Sequence, residues 1–187
     1  MTLEEWADLP EDETGELVDG RLEEEEMPSF VHELVITWLA HALRTWLAGK
    51  GFVAGSGVKV AVAPRRGRMP DMLVYLPGSK KPPARGLVRV PPDIAVEIVS
   101  PTPRDARRDR IEKLDEYAAF GVRFYWLVDP ELRSFEVFEL GADGRYVHAL
   151  GATEEPALSV PGCPGLVLDL PALWGEIARL EAEDGEA

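Results

Sequence analysis

The chain of 187 residues is long enough to bury a substantial core, and 45% of its residues are hydrophobic. Cys163 is its one cysteine, which excludes an intramolecular disulfide and leads us to expect a cytoplasmic protein. The net charge of −14 argues at first against a nucleic-acid partner.

The charge is unevenly distributed along the chain. Residues 1–30 contain twelve acidic residues and one arginine, whereas residues 64–113 contain twelve basic and six acidic residues. A polyanion can therefore approach the middle of the chain if the acidic ends face away from it. The acidic start MTLEEWADLPEDE is unlike a signal peptide, and no apolar run approaches the roughly 20 residues of a membrane helix. We therefore expect no membrane partner.

The first half of the chain predicts helix and hairpin elements. Thr2 and Glu5 form a capping box for a short helix, and ELVDGRLEEEE (16–26) predicts a hairpin that turns at Asp19-Gly20. Apolar residues recur at helical spacing over residues 28–51, which predicts a long amphipathic helix ended by Gly49 and Gly51. The segments at 58–63 and 72–76 predict an antiparallel hairpin joined by the basic turn PRRGR.

The second half predicts a strand–helix–strand unit. A buried strand at 94–100 is followed by a charged helix at 104–120 and a buried strand at 123–129, and such a crossover can join parallel strands. A hairpin (134–140 with 146–150) and a closing helix (171–183) follow. We predict one mixed α/β domain over 1–187 with a mixed sheet flanked by helices. It comprises an acidic helix-and-hairpin extension at 1–27, a core at 28–170, and a helix with an acidic tail at 171–187.

Glu97 interrupts the apolar strand IAVEIVS. Alternation places it on the same face as Ala95 and Val99. A carboxylate in such a strand costs several kcal/mol unless it is paired or takes up a proton. Glu97 therefore needs a partner, which is either a basic side chain or a metal ion.

Asp71 is a second carboxylate at the start of a predicted strand, directly after Pro70. Two carboxylates at matched heights on neighbouring strands offer the oxygen ligands that Mg²⁺ and Mn²⁺ prefer. The alternatives are that Asp71 only satisfies a turn and that Glu97 forms a structural ion pair with Lys113 or an arginine.

Five parts of the sequence carry a family resemblance: ELVDGRL (16–22), His32 in the long helix, PDMLV (70–74), the block from Val96 to Pro130, and GLVLDL (165–170). Together they resemble the Uma family of endonucleases, within the PD-(D/E)XK superfamily of restriction-endonuclease-like nucleases. The resemblance implies a restriction-endonuclease-like fold, Mg²⁺ or Mn²⁺ held by Asp71 and Glu97, and hydrolysis of DNA phosphodiesters. It also makes a homodimer plausible.

One position departs from the superfamily pattern. The signature lysine usually stands two residues after the glutamate, where this chain has Val99. The family resemblance implies that Lys113, on the following helix, replaces it. An ordinary i,i+4 surface pair of Lys113 with Asp109 is the alternative. We interpret Tyr117, one turn further on, as a packing residue.

Further candidates follow from the same resemblance. Glu16 and His32 match family positions near the site, and Glu33 is a competing acidic candidate from the long helix. A set of basic residues is a candidate phosphate-contacting rim, with solvated loop charge as the alternative: Arg65, Arg66, Arg68, Lys80, Lys81, Arg104, Arg107 and Arg108.

We predict a metal-dependent DNA endonuclease in which Asp71, Glu97 and Lys113 are catalytic. The alternative function is a catalytically inactive nuclease-like fold that acts as a nucleic-acid or protein binding module. The valine at 99 and the acidic ends favour that alternative. A structural dimerising protein, in which Glu97 is merely ion-paired, is a third reading.

Overall fold

A computed structural model describes residues 1–10, 13–24, 27–102 and 106–184. Its helices are α1 (Leu3–Ala7), α2 (Phe30–Leu47), α3 (Lys113–Phe120) and α4 (Leu170–Asp184), and a π-helical turn (Arg108–Glu112) leads into α3. Its strands are β1 (Glu16–Val18), β2 (Arg21–Glu23), β3 (Phe52–Ala54), β4 (Val60–Ala63), β5 (Arg66–Arg68), β6 (Met72–Tyr75), β7 (Ile94–Ile98), β8 (Phe124–Asp129), β9 (Ser134–Leu140), β10 (Tyr146–Ala152), β11 (Leu158–Ser159) and β12 (Val167–Leu168).

A mixed sheet of six strands forms the centre of the fold, in the order β10-β9-β8-β7-β6-β3. Strands β7 and β8 are parallel, and the other neighbours are antiparallel. The π-helical turn and α3 lie between β7 and β8 in the chain, so this crossover unit is confirmed. The mixed α/β fold with a central mixed sheet flanked by helices is likewise confirmed.

The two faces of the central sheet bury different side chains. Ile94, Val96 and Ile98 face a core formed with α2 and α4. Ala95 and Val99 belong to a second core on the opposite face, which includes Tyr117 of α3 and residues of β4. Glu97 alternates with this second set, so the strand directs its carboxylate towards α3.

The predicted hairpin between residues 58–63 and 72–76 is wrong. β4 pairs with β5, which lies inside the PRRGR segment, and both belong to a four-stranded sheet in the order β2-β1-β5-β4. β6 crosses to the central sheet and pairs with β3 and β7. Packing explains the difference, because Gly67 of β5 lies so close to the Trp6 ring that a Cβ there would overlap it.

Several other predicted elements are confirmed. Thr2 and Glu5 form the capping box of α1, and β1 and β2 pair around Asp19-Gly20, both of which have positive φ. β9 pairs with β10 as predicted. The helix α2 ends one residue before Ala48, which adopts the left-handed conformation ahead of Gly49. Of the helices described, none has the length and apolar character needed to cross a membrane.

Candidate active site

The site lies where β6 begins and β7 ends. Met72 of β6 is opposite Val96 of β7, and the same antiparallel register brings Asp71 level with Glu97. Asp71 Oδ2 accepts a hydrogen bond from the backbone N–H of Ile98 at 2.7 Å. Both carboxylates line one cleft of about 670 Å³. The two predicted carboxylates therefore come from neighbouring strands and share a cleft.

Glu97 is buried, with 2% of its surface exposed, and both of its carboxylate oxygens have partners. Lys113 Nζ lies 2.9 Å from Oε2, and the Tyr117 hydroxyl donates to Oε1 at 2.6 Å. Both partners are on α3, one turn apart. The partner that the sequence required for Glu97 is therefore a lysine and a tyrosine from the crossover helix.

Lys113 is buried beneath the cleft and contacts three carboxylates. Its Nζ lies 2.9 Å from Glu97, 3.1 Å from Asp109 Oδ1 and 3.5 Å from Glu16 Oε1. The i,i+4 pair with Asp109, which was the alternative for Lys113, is present, but it is buried rather than on the surface. Lys113 thus joins the central sheet, the π-helical turn and the β1 hairpin at one point.

The π-helical turn positions Asp109, which the sequence indicated only as a surface partner. Its five residues, Arg108–Glu112, run directly into α3, and the Tyr125 hydroxyl donates to the Asp109 carbonyl at 2.9 Å. π-Helical turns occur frequently at functional sites. The charge-dense segment predicted an ordinary helix and gave no signal for this wider turn.

Glu16 reaches the site from the N-terminal hairpin and is fully buried. Its Oε2 accepts from Arg68 at 2.6 Å, and its Oε1 accepts from the Met69 backbone N–H at 3.1 Å. Arg68 is also fully buried and donates to both oxygens of Glu116 on α3, at 2.6 and 2.8 Å. These ion pairs attach the four-stranded sheet to the helix that carries Lys113.

The buried charges shift one another's pKa values. Burial and the nearby carboxylates raise the pKa of Glu97 well above its usual range, although Lys113 opposes this. Burial by itself favours a neutral lysine, but the carboxylates of Glu16, Glu97 and Asp109 raise the pKa of Lys113 above its ordinary value. Burial also opposes ionisation of Glu16, yet Lys113, Arg68 and Arg108 lower its pKa to about 2. Lys113 is therefore an ammonium at neutral pH.

His32 contacts the carboxylate oxygen of Asp71 that does not accept from Ile98. Its Nε2 is 3.1 Å from Asp71 Oδ1, and its Nδ1 is 3.6 Å from Glu33 Oε1. Burial alone lowers the pKa of His32, but the hydrogen bond and charge of Asp71 raise it above the ordinary value. The first turn of α2 therefore fixes the orientation of Asp71, while the competing candidate Glu33 is half exposed.

The candidate phosphate-contacting rim divides into surface and buried residues. Arg65, Lys80, Lys81 and Arg107 are exposed, whereas Arg66 pairs with Asp19 and Glu116, and Arg104 lies outside the described residues. Arg68 is fully buried in ion pairs, so a rim position for it is wrong. Arg108 lines the cleft with 7% of its surface exposed. The rim is therefore smaller than the sequence predicted.

The family comparison agrees with this architecture. A family model described as "Uma2: Putative restriction endonuclease" matches residues 2–171. The chain belongs to this family. No curated protein matches the chain significantly. The Uma2 model covers both candidate carboxylates, Lys113 and the N-terminal hairpin.

A solved structure shows the same fold. The crystal structure of a protein from Anabaena variabilis ATCC 29413, described as "a putative nuclease belonging to DUF820", is similar with a TM-score of 0.74. The similarity covers 94% of this chain and 98% of that chain, at 17% sequence identity. Family and fold together indicate a restriction-endonuclease-like nuclease, a class whose substrate is nucleic acid.

Proposed function

We propose that this Uma2 protein is a divalent-metal-dependent endonuclease that hydrolyses phosphodiester bonds of DNA. The observation that carries the proposal is the buried contact between Lys113 of α3 and Glu97 of β7 at 2.9 Å. It brings a cation to the carboxylate although the strand itself has Val99 where the superfamily pattern has lysine. This lysine beside the strand carboxylate supports a nuclease site built jointly from β7 and α3.

Asp71 and Glu97 are the residues that would hold Mg²⁺ or Mn²⁺. Among residues 1–10, 13–24, 27–102 and 106–184, no group of three or more His, Cys, Asp or Glu side chains is gathered as a metal site. Two carboxylates suffice for Mg²⁺, which keeps several water ligands. The Asp71 side chain is 16% exposed, and burial together with the charges of Asp71, Asp109 and Glu16 raises the pKa of Glu97 against the opposing effect of Lys113. This surplus of negative charge and these hard oxygen donors fit a divalent cation.

When bound, such an ion supplies a Lewis acid for the scissile phosphate and lowers the pKa of a bound water. The protein's own groups have separate tasks. Lys113 remains protonated because three carboxylates surround it, so it acts as a fixed positive charge and hydrogen-bond donor rather than a base. Tyr117 orients Glu97, and His32 and the Ile98 N–H orient Asp71. These contacts supply a site that is ordered before substrate arrives.

A second candidate function is a nuclease-like binding module without turnover. The observation that favours it is that Lys113 and Tyr117 already contact both oxygens of Glu97. In that case the cluster is structural. The two candidates differ in whether the protein cleaves DNA when a divalent cation is supplied.

Plasmid nicking tests the proposal. We expect relaxation of supercoiled DNA with Mg²⁺ or Mn²⁺, none with EDTA, and loss of activity in Asp71→Asn. Asp143→Asn, the same change at an exposed turn between β9 and β10, is the matched control and retains activity. Binding of DNA without nicking under all metal conditions would select the binding module instead.

The proposal also includes a homodimer in the cytoplasm. Nucleases that cut both strands commonly pair two sites, so a second copy of this chain is the expected partner. Sedimentation of the purified protein measures the dimer, and a monomer at every concentration would contradict it.

We also propose that the described sheets belong to one domain, which unfolds in a single transition.

A further inference from the structure

A second cleft of about 460 Å³ lies beside the candidate active site. The edge strand β3 forms one wall, with Phe52 and Ala54, and the loop before β7 forms another, with Pro82 and Pro83. Gly57 lines both this cleft and the one that contains Asp71 and Glu97. The two clefts therefore meet at the Gly57 turn.

The two clefts differ in charge. Six acidic residues line the candidate active site, namely Glu33, Asp71, Glu97, Asp109, Glu131 and Glu181, and its two basic lining residues, Arg108 and Lys113, are both paired with the buried Glu16. Of the described residues that line the second cleft, none is acidic, and Lys59 and Arg85 are basic. A polyanion gains little affinity from the first cleft, so attractive contacts have to come from its surroundings. The second cleft is the adjoining surface with the complementary charge.

Phe52 gives this cleft an aromatic platform. Its side chain is 52% exposed on the edge strand, and Lys81 Nζ lies 5.6 Å from the ring centroid. Lys59 Nζ donates to the Trp6 carbonyl at 2.7 Å, so this lysine has a structural role. Lys81 and Arg85 are exposed at the rim. A half-exposed ring with the Lys81 ammonium over it, in a cleft that Arg85 also lines, combines the stacking and electrostatic contacts used by proteins that bind single strands.

We infer that the second cleft binds an unpaired nucleotide of the DNA strand that occupies the active site. The base stacks on Phe52, and Lys81 and Arg85 contact its phosphates. That this nucleotide belongs to the strand in the active site rests on the proposed nuclease function. A duplex cannot make the same contact, because the faces of its bases are already stacked inside the helix.

Fluorescence anisotropy of a labelled single-stranded oligodeoxynucleotide, in EDTA to prevent cleavage, measures this contact. We expect Phe52→Leu to weaken binding about tenfold, because leucine lacks a stacking face, and Phe52→Tyr to retain it. The double variant Lys81→Gln, Arg85→Gln should reduce the slope of log K against log salt by about 1.4, which corresponds to two lost phosphate contacts on a single strand.

Matched controls lie on and beside the strands β9 and β10, towards the opposite edge of the central sheet from β3. Val147→Ala removes an exposed apolar side chain of β10, and Arg133→Gln with Arg145→Gln removes two exposed positive charges from the turns that precede β9 and β10. These controls should bind like wild type. Unchanged binding by Phe52→Leu, an unchanged salt slope in the double variant, or equal losses in the controls would overturn the inference.

Nicking by the same variants separates this inference from the proposed function. If wild type binds the single strand through Phe52 but never nicks plasmid with Mg²⁺ or Mn²⁺, the nuclease proposal fails and the cleft assignment stands. If Phe52→Leu and the double variant bind and cut like wild type, the cleft assignment fails and the nuclease proposal stands.

Discussion

Lys113 Nζ lies 2.9 Å from Oε2 of Glu97, so a cation on helix α3 pairs with the carboxylate of the central strand β7. Val99, the next residue on the same face of that strand, is also buried. A lysine at position 99 would approach Glu97 from its own strand, whereas here the charge comes from the helix packed above. The contact thus depends on how α3 docks on the sheet.

Removing the ammonium should destabilise the protein strongly. Lys113→Met keeps an unbranched side chain but leaves the carboxylates of Glu16, Glu97 and Asp109 buried without their shared cation. Breaking a buried pair in this way costs about 3–5 kcal/mol of unfolding free energy. Urea denaturation at pH 7 measures the loss. Lys50→Met, at an exposed position, is the control and should change the unfolding free energy by less than about 0.5 kcal/mol. Equal losses of stability in both variants would contradict a buried role for Lys113.

Tyr117→Phe should weaken both stability and cleavage. The change removes only the hydroxyl that donates to Glu97 at 2.6 Å, and a hydrogen bond to a charged group contributes about 1.5–3 kcal/mol. Tyr146→Phe is a matched control, since its hydroxyl donates to the neutral carbonyl of Val122. We expect Tyr146→Phe to lose about 1 kcal/mol of unfolding free energy and to nick plasmid like wild type. If both variants nick equally well, Tyr117 is a packing residue, as its sequence position first indicated.

Glu16 should contribute to stability in a defined pH range. Its pKa falls from 4.5 to about 2 on folding, so its contribution is present above pH 4.5 and is lost as the pH drops towards 2. The shift corresponds to roughly 3 kcal/mol. Glu16→Gln should therefore be less stable than wild type at pH 7 and approach it near pH 2, as measured by urea midpoints. A difference that stays constant between pH 7 and pH 2 would contradict this assignment.

Local patterns in the sequence were enough to predict several elements. The capping box at Thr2, the turn at Asp19-Gly20 and the parallel pair β7 and β8 each follow from residues close together in the chain. Alternation also predicted the face of the strand on which Glu97 lies, but only the pairing of β6 with β7 brings Asp71 level with it. The family resemblance, rather than any pattern, singled out Lys113.

Long-range packing decided the features that the sequence did not reveal. The partners of Arg68 are Glu16 and Glu116, which are 52 and 48 residues away in the chain, so its burial has no local signal. β5, which pairs with β4, packs its Gly67 closely against Trp6 of α1, a residue far away in the chain. Tyr117 has the spacing of a packing residue, and only the docked position of α3 shows that its hydroxyl meets Glu97.

Mn²⁺ should stabilise the protein if Asp71 and Glu97 hold a divalent ion. A cation at 100 times its dissociation constant adds about 2.7 kcal/mol, which differential scanning calorimetry detects as a raised Tm. Asp71→Asn and Glu97→Gln should each abolish the increase, and Asp143→Asn should retain it. An increase that persists in both site variants would show that the ion binds elsewhere.

Moving the cation from α3 back to the strand should restore part of the activity that is lost without Lys113. Lys113→Ala should lower cleavage by about 10²–10³, the scale of losing one preorganised charge-stabilising group. In the double variant Lys113→Ala, Val99→Lys, the new ammonium shares the face of Glu97 and lines the same cleft, so it can meet that carboxylate. The extra bulk at a site only 5% exposed should cost about 1–3 kcal/mol, which limits the recovery.

The matched control for this exchange is Lys113→Ala with Val99→Met, which adds similar bulk without charge. Urea denaturation and plasmid nicking should both rank the lysine double variant above the methionine one, because only lysine neutralises Glu97. If the methionine double variant recovers as much stability and nicking activity as the lysine one, the recovery comes from filling the space left by Lys113. The charge would then act only from α3, where Glu16 and Asp109 also hold it.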